Sequence, residues 1–218
     1  MNILLLGQPG VGKGTQSDLL AQQYHFIKFS MGDILRDEIA KKSPLGEKIA
    51  HLVNAGHLVP DDIVSAVVSE FVREHCQENI LFDGYPRTIA QAETLDTELA
   101  TVRSPLTAVM ELHLDEQQII ERLRNRRYCP QCGRLYNYMT SPPKHDGTCD
   151  LCHVPLRKRN DDDEQVIKKR LTVYNEQTHP LIDYYKAQSI YARIDAAGSQ
   201  EEVFAHITRI IDAKIDTQ

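Results

Sequence analysis

The chain has 218 residues, 41% hydrophobic and 26% charged, enough for one substantial core carrying smaller inserted lobes. Its formal net charge of −6 argues against a nucleic-acid binder working through global electrostatics. Apolar runs of the roughly eighteen residues needed to span a membrane are missing, so no membrane partner is expected.

The first predicted element is Asn2–Leu6, a short apolar run ended by glycine, which suits a central parallel strand buried on both faces. It has neither the basic start nor the cleavage site of a secretory signal, so the expected compartment is the cytoplasm. Gly7-Gln8-Pro9-Gly10-Val11-Gly12-Lys13-Gly14-Thr15 follows and opens a helix ending near Tyr24. Further strand-like runs occur at His25–Phe29, Ile80–Phe82, Val109–Leu114 and Ile190–Ile194.

Helical patterns separate these runs. Ile63, Val67, Phe71 and Val64, Val68, Val72 recur at spacings of four and give a broad apolar stripe. Ile119, Ile120 and Leu123 mark one side of a later helix. Asp163 to Tyr185 reads as one long charged helix with Val166, Ile167, Leu171, Tyr174 and Leu181 inside, kinked at Pro180. The last helix is expected from about Glu201 to Lys214.

Strands alternating with helices predict an α/β fold, a parallel sheet covered on both faces. Two segments break that rhythm. Residues 30–59 are helical without a strand, and residues 125–162 are rich in Pro, Gly, Cys and charge. Both are expected to be lobes inserted into a core made of residues 1–29, 60–124 and 163–218.

The loop after the first strand fits the Walker A pattern GxxxxGK in its required strand–loop–helix setting. Glycines let backbone N–H groups turn inward and approach phosphate, the helix N-terminus adds partial positive charge, and Lys13 adds a full one. Gly14 stands where Ser or Thr usually follows the lysine. A nucleoside triphosphate is the expected ligand of this P-loop.

Of five cysteines, Cys129, Cys132, Cys149 and Cys152 form two CxxC pairs sixteen residues apart. That spacing suits a tetrahedral, all-thiolate zinc site with no open position, hence a structural one. Disulfides are the alternative, and the absence of a secretory signal favours metal. Cys76 is expected to be a buried helical thiol.

Beyond single motifs, the chain resembles the adenylate kinases over essentially its whole length. Gly7 to Gln16 matches their variant P-loop GxPGxGKGTQ. Ser30-Met31-Gly32-Asp33-Ile34-Leu35-Arg36, Gly56-His57-Leu58-Val59-Pro60-Asp61 and Phe82-Asp83-Gly84-Tyr85-Pro86-Arg87-Thr88 are similar to STGDMLR, GKLVTD and LDGFPRT. Arg122, Arg126, Arg127, Arg159 and Arg170 occupy the family's lid-arginine positions.

The resemblance implies a P-loop NTPase-like core with two mobile lobes, a monophosphate-binding lobe at 30–59 and a lid at 125–162. ATP would contact Gly10, Val11, Gly12, Lys13, Gly14, Thr15, Arg122, Arg126, Leu135, Tyr136 and Gly198. AMP would contact Met31, Arg36, His57, Leu58, Val59, Gly84, Tyr85, Pro86, Arg87, Gln91, Arg159 and Arg170. Lys13, Asp83, Arg87, Arg126, Arg159 and Arg170 would do the catalytic work, with Asp83 orienting the waters around Mg²⁺. Arg122 would stack on the adenine, and the family is generally monomeric.

Three expectations stay open at this point. Thr88-x-x-Gln91 is also a capping-box pattern, so capping and adenine recognition compete for one amide. Met31 stands where the family usually has Thr, and is expected to press on the acceptor base. The rivals are a kinase for another nucleoside monophosphate and a nucleotide-regulated zinc ribbon that binds nucleic acid. A guanine-reading NKxD motif is missing, which sets GTPases aside.

Overall fold

In the computed structural model, which describes residues 1–216, the first apolar run becomes β1 (Asn2–Leu6), buried at every position. The other core strands are β2 (Ile27–Ser30), β3 (Ile80–Asp83), β4 (Leu106–His113) and β7 (Tyr191–Asp195). They pair only in parallel, in the order β2-β3-β1-β4-β7.

Two apolar clusters cover the two faces, and β1 shows why its sequence is apolar throughout. Leu4 and Leu6 join Phe29 and Phe82 on one face, while Ile3 and Leu5 join Leu81 and Met110 on the other. The polar exception, Asn2, is fully buried and satisfied: its amide donates to Ser104 O at 2.5 Å and accepts from Ile80 N–H at 3.0 Å.

The core helices are α1 (Lys13–Tyr24), α4 (Asp61–Glu74), α5 (Ile89–Thr101), α6 (Glu116–Arg124), α7 (Glu164–Val173), α8 (Leu181–Ala187) and α9 (Gln200–Ile215). On α4 the stripe is as expected, with Val64, Val68 and Val72 buried. A full capping box starts α9: Ser199 Oγ accepts from Glu202 N–H, and Glu202 Oε2 accepts from Ser199 N–H.

The expected long helix is in fact three pieces. Between α7 and α8 lies a π-helical turn, Tyr174–Thr178, where His179 N–H reaches Tyr174 O at 2.8 Å, five residues back. Pro180 cannot donate and its ring crowds the preceding turn, so the ladder widens one turn earlier than the proline itself. Cys76 also differs from expectation: it lies half-buried in the turn after α4.

Apart from Ser30, which ends β2, the two off-rhythm segments lie outside the parallel sheet, although Met31, Leu35, Ile49 and Val59 join the apolar cluster on one of its faces. Residues 30–59 hold α2 (Met31–Lys41) and α3 (Pro44–Asn54), packed on each other so closely that a Cβ on Gly46 would lie 2.1 Å from Glu38 O. Residues 125–162 hold a two-stranded antiparallel ribbon, β5 (Arg126–Tyr128) and β6 (Leu135–Asn137), and end in a 3₁₀ turn, Asn160–Asp162. Asn125 caps the end of α6, and Asp163 caps the start of α7.

Candidate active site

The glycine loop and Asp83 sit at the C-terminal ends of β1 and β3, where the sheet order reverses around β1. Gly7, Gly10 and Gly12 take φ values of 138°, 88° and 114°, a left-handed path that side chains other than glycine rarely follow. The loop therefore doubles back at the N-terminus of α1. Lys13 Nζ donates to Gly7 O at 2.6 Å and Gln8 O at 3.1 Å, which holds it in the mouth of the loop. Burial lowers its pKa to about 8, and Arg87, Arg170 and Arg126 push the same way against Asp83.

Asp83 ends β3 beside the loop, with one carboxylate oxygen 3.7 Å from where a Cβ on Gly14 would stand. Burial raises its pKa while Lys13 and Lys28 oppose the rise. A buried, hard oxygen donor next to a phosphate cradle fits Mg²⁺. The side chain of Val11 is buried in the core, so any nucleotide contact there falls to its backbone.

A cleft open to solvent runs from Lys13 to the 30–59 lobe. Its walls include Gly32, Arg36, His57, Leu58, Val59, Gly84, Pro86, Arg87 and Arg170. Arg87 is fixed at three points: Nε donates to Gly84 O, its N–H donates to Gln91 Oε1, and its carbonyl accepts from Thr178 Oγ1. The π-helical turn thus steadies Arg87 in the cleft wall. Arg36 pairs with Asp33 at 2.5 Å, and burial notwithstanding, Arg36 and Lys28 hold the Asp33 pKa down to about 2.

Two expected acceptor side chains, Met31 and Tyr85, point elsewhere, and a third, Gln91, is held differently from the capping pattern. Met31 is 2% exposed and joins Leu35, Ile49 and Val59 in the apolar cluster on one face of the sheet, so its side chain belongs to that core and not to the cleft wall. Tyr85 is buried against Phe29, and its hydroxyl donates to Gln91 O. Gln91 completes no capping box: Thr88 Oγ1 does cap Gln91 N–H, but the Gln91 amide turns to Arg87 and Asp61. The reason is the nearby N–H of Arg87 and the Asp61 carboxylate, which sequence spacing within α5 cannot reveal.

From the other side come the lid arginines. Arg126 grips Asp162 with two hydrogen bonds, Nε at 2.8 Å and Nη2 at 2.5 Å, and Asp162 is fully buried. Arg170 pairs with Asp161 at 2.9 Å. Neither aspartate was assigned a role from sequence, although the Arg159-Asn160-Asp161-Asp162 run carried the signal. Arg159 has no hydrogen-bond partner for its guanidinium among the described residues. Burial, then repulsion by Arg126 and Arg36, lowers its pKa to about 10. Asp161 and Asp33 offset that repulsion only in part, which suits the half-buried Arg159 to a further anion.

Arg122 lies flat between two carbonyls, donating to Val11 O at 3.1 Å and Ala196 O at 2.9 Å, and so ties the P-loop to the exposed loop containing Gly198. Leu135 reaches within 3.9 Å of the Gly14 Cβ position, which brings the lid over the P-loop. Tyr136 instead turns into the lid's own core between Cys129 and Cys149, its hydroxyl 3.4 Å from Cys149 Sγ. Its side chain is a support for the cysteine site.

The four cysteine sulfurs lie within 4.8 Å of one another, and Cys132 and Cys149 are 3.8 Å apart. Zinc–sulfur bonds of about 2.3 Å in a tetrahedron place sulfurs roughly 3.8 Å apart. The backbone N–H groups of Cys132 and Cys152 each point at the preceding cysteine's sulfur, at 3.5 Å, as thiolate acceptors require. No disulfide is formed among them. The donor set fits a structural metal.

A phosphate cradle, a second cationic pocket and arginines from a lobe above together define a P-loop nucleoside monophosphate kinase. The chain matches the adenylate kinase family model over residues 5–190. It is 45% identical over 211 residues to an adenylate kinase of Hydrogenobaculum sp. (strain Y04AAS1), covering 97% of this chain and 100% of that relative. Similar matches are adenylate kinases of Clostridium botulinum (strain Hall), 41% identical over 97% of this chain and 98% of theirs, and Thermosipho africanus, 39% over 97% and 99%. The chain belongs to the adenylate kinase family.

Proposed function

We propose that the enzyme moves the terminal phosphoryl group of ATP to AMP, reversibly, giving two ADP. The carrying observation is convergence: Lys13 from the P-loop, Arg36 and Arg87 from the acceptor side, and Arg126, Arg159 and Arg170 from the lid side all address one region beside Asp83. Phosphoryl transfer needs in-line placement of two anions and neutralisation of charge spread over the migrating group. Cations fixed in advance supply both, because they need not reorganise as the charge moves.

In this reading Lys13 and the loop N–H groups hold the ATP phosphates, and Arg122 offers a flat face to the adenine. Arg36 and Arg87 hold the AMP phosphate. Mg²⁺ carried in with ATP would neutralise phosphate charge next to Asp83. Residues 125–162, hinged near Asn125 and Asp163, and residues 30–59 act as moving lobes on the rest of the chain, and closure of the first keeps water from taking the phosphoryl group. Zinc is the metal of the four-cysteine site.

We also read the enzyme as a cytoplasmic monomer without a nucleic-acid partner, in keeping with the family resemblance and the net charge of −6. Among the described residues, no helix is long and apolar enough to cross a membrane. Coupled assays of ATP with AMP, GMP, CMP and UMP test the substrate assignment. AMP should be the best acceptor; preference for UMP or CMP would contradict it.

A further inference from the structure

Gln91 is 3% exposed, and its amide is held from two directions. Oε1 accepts from Arg87 N–H at 2.8 Å, and Nε2 donates to Asp61 Oδ1 at 2.6 Å. A backbone N–H can only donate and a carboxylate can only accept. These two partners therefore fix which end of the amide is oxygen and which is nitrogen. Asp61 begins α4, thirty residues before Gln91. Its other oxygen accepts from Thr88 Oγ1 at 3.2 Å, so one carboxylate ties the start of α4 to the start of α5. Asp61 and Thr88 also line the flank of the acceptor cleft with His57, Leu58 and Val59.

Fixing the amide has a chemical consequence. One N–H and one oxygen lone pair of Gln91 remain uncommitted among the described residues, with known polarity. Adenine offers a ring-nitrogen acceptor beside an amino donor, the complement of that pair. Hypoxanthine and guanine offer a ring N–H beside an oxo group, the reverse. To read them the amide would have to turn over, placing its NH₂ against Arg87 N–H and its oxygen against the Asp61 carboxylate. Both contacts are repulsive, and site groups left unpaired discriminate far more strongly than lost bulk does.

We propose that Asp61 is a specificity-determining positioning residue: by locking the Gln91 amide it selects amino bases over oxo bases at the acceptor site. The proposal rests on the reading that Gln91 meets the acceptor base. Cytosine shares adenine's pattern and uracil shares hypoxanthine's, so size must exclude CMP while polarity excludes IMP, GMP and UMP.

The test compares AMP with IMP, which differ only at the six-position and its neighbouring ring nitrogen. Wild type, Asp61→Ala, Asp61→Asn and Gln91→Ala are assayed by steady-state kinetics, with calorimetric binding of AMP and IMP alongside. Asp61→Ala should lower the AMP:IMP ratio of kcat/KM by roughly tenfold or more, mostly through KM for AMP, with KM for ATP within about twofold. Asp61→Asn keeps the shape but can offer oxygen or NH₂, so its ratio should fall part-way; if the alanine variant does not fold, this one decides. An Asp61 variant that weakens AMP and IMP equally is merely structural and overturns the proposal. If Gln91→Ala lowers the ratio while neither Asp61 variant does, Asp61 falls alone. If Gln91→Ala leaves the ratio unchanged, the reading of Gln91 falls and takes the proposal with it.

Discussion

Around the parallel sheet, two clusters of buried aliphatic and aromatic side chains back every strand. In the 125–162 lobe the only buried cluster is Cys129, Tyr136 and Cys149, edged by Cys152, Val154 and Leu156. Among the described residues, three of the four exposed large hydrophobics, Tyr138, Met139 and Leu151, belong to this lobe as well. The sheet region supplies Lys13 and the lobe supplies Arg126, close enough for their charges to act on each other, yet one region is assembled by packing and the other around four sulfurs. A thin core has a use here. In the proposed function, a lobe held within itself by metal would swing as a unit without drawing on the contacts that hold the sheet.

The largest expected effect follows from removing that metal. Structural zinc contributes on the order of 10 kcal/mol to a small domain, so Cys149→Ser with Cys152→Ser should melt the lobe while the sheet stays folded. Elemental analysis should find about one zinc per wild-type chain and none in the variant. Its thermal unfolding should split into two steps where the wild type shows one.

Asp162→Ala strikes the join between the regions. It leaves Arg126 and Arg170 facing each other without their shared carboxylate. Removing one partner of such a buried network typically costs about 3 kcal/mol or more. A lowered Tm together with a raised KM for ATP is the expected outcome, measured by calorimetry and kinetics.

Lys13→Ala strikes the sheet side alone. Loss of one preorganised cation at developing charge should cost roughly 3 kcal/mol, about a hundredfold in kcat/KM, with an unchanged far-ultraviolet spectrum. Near-normal turnover by the folded variant would remove the P-loop from the account.

How far each region could be read in advance divides along the same line. The strands of the sheet follow from apolar runs such as Ile3–Leu6, because burial on both faces leaves few polar positions, Asn2 among them, to blur the signal. The cysteine site follows from spacing, because two knuckles impose it. What sequence did not give was partner choice across long separations. The Asp61–Gln91 bond spans thirty residues, Arg126–Asp162 thirty-six, and Arg87–Thr178 ninety-one. The break at Tyr174 was displaced from Pro180, since the widened turn forms ahead of the proline. Met31 and Tyr136 show the same limit: their positions matched a binding motif, but local packing turned the side chains inward.

A smaller effect concerns pH. With burial lowering the Lys13 pKa to about 8, the free enzyme loses this proton as pH rises past that value. A lysine facing a triphosphate keeps it, so ATP binding above about pH 8 takes up a proton. Affinity should then fall by up to about tenfold per pH unit. Calorimetry in two buffers of different ionisation enthalpy measures the uptake, and Lys13→Ala should abolish it. The smallest effect is Met31→Leu, a near volume-conserving swap that should cost under about 1.5 kcal/mol. KM for AMP should stay within about twofold.

Native-state hydrogen exchange of the zinc-loaded enzyme, and of the same enzyme stripped of metal by a thiol-blocking reagent, tests the two-region account most directly. Amides of residues 125–162 should lose protection on stripping, while those of β1, β3 and β4 keep theirs. Protection lost across the sheet as well, or unchanged in the lobe, would contradict it.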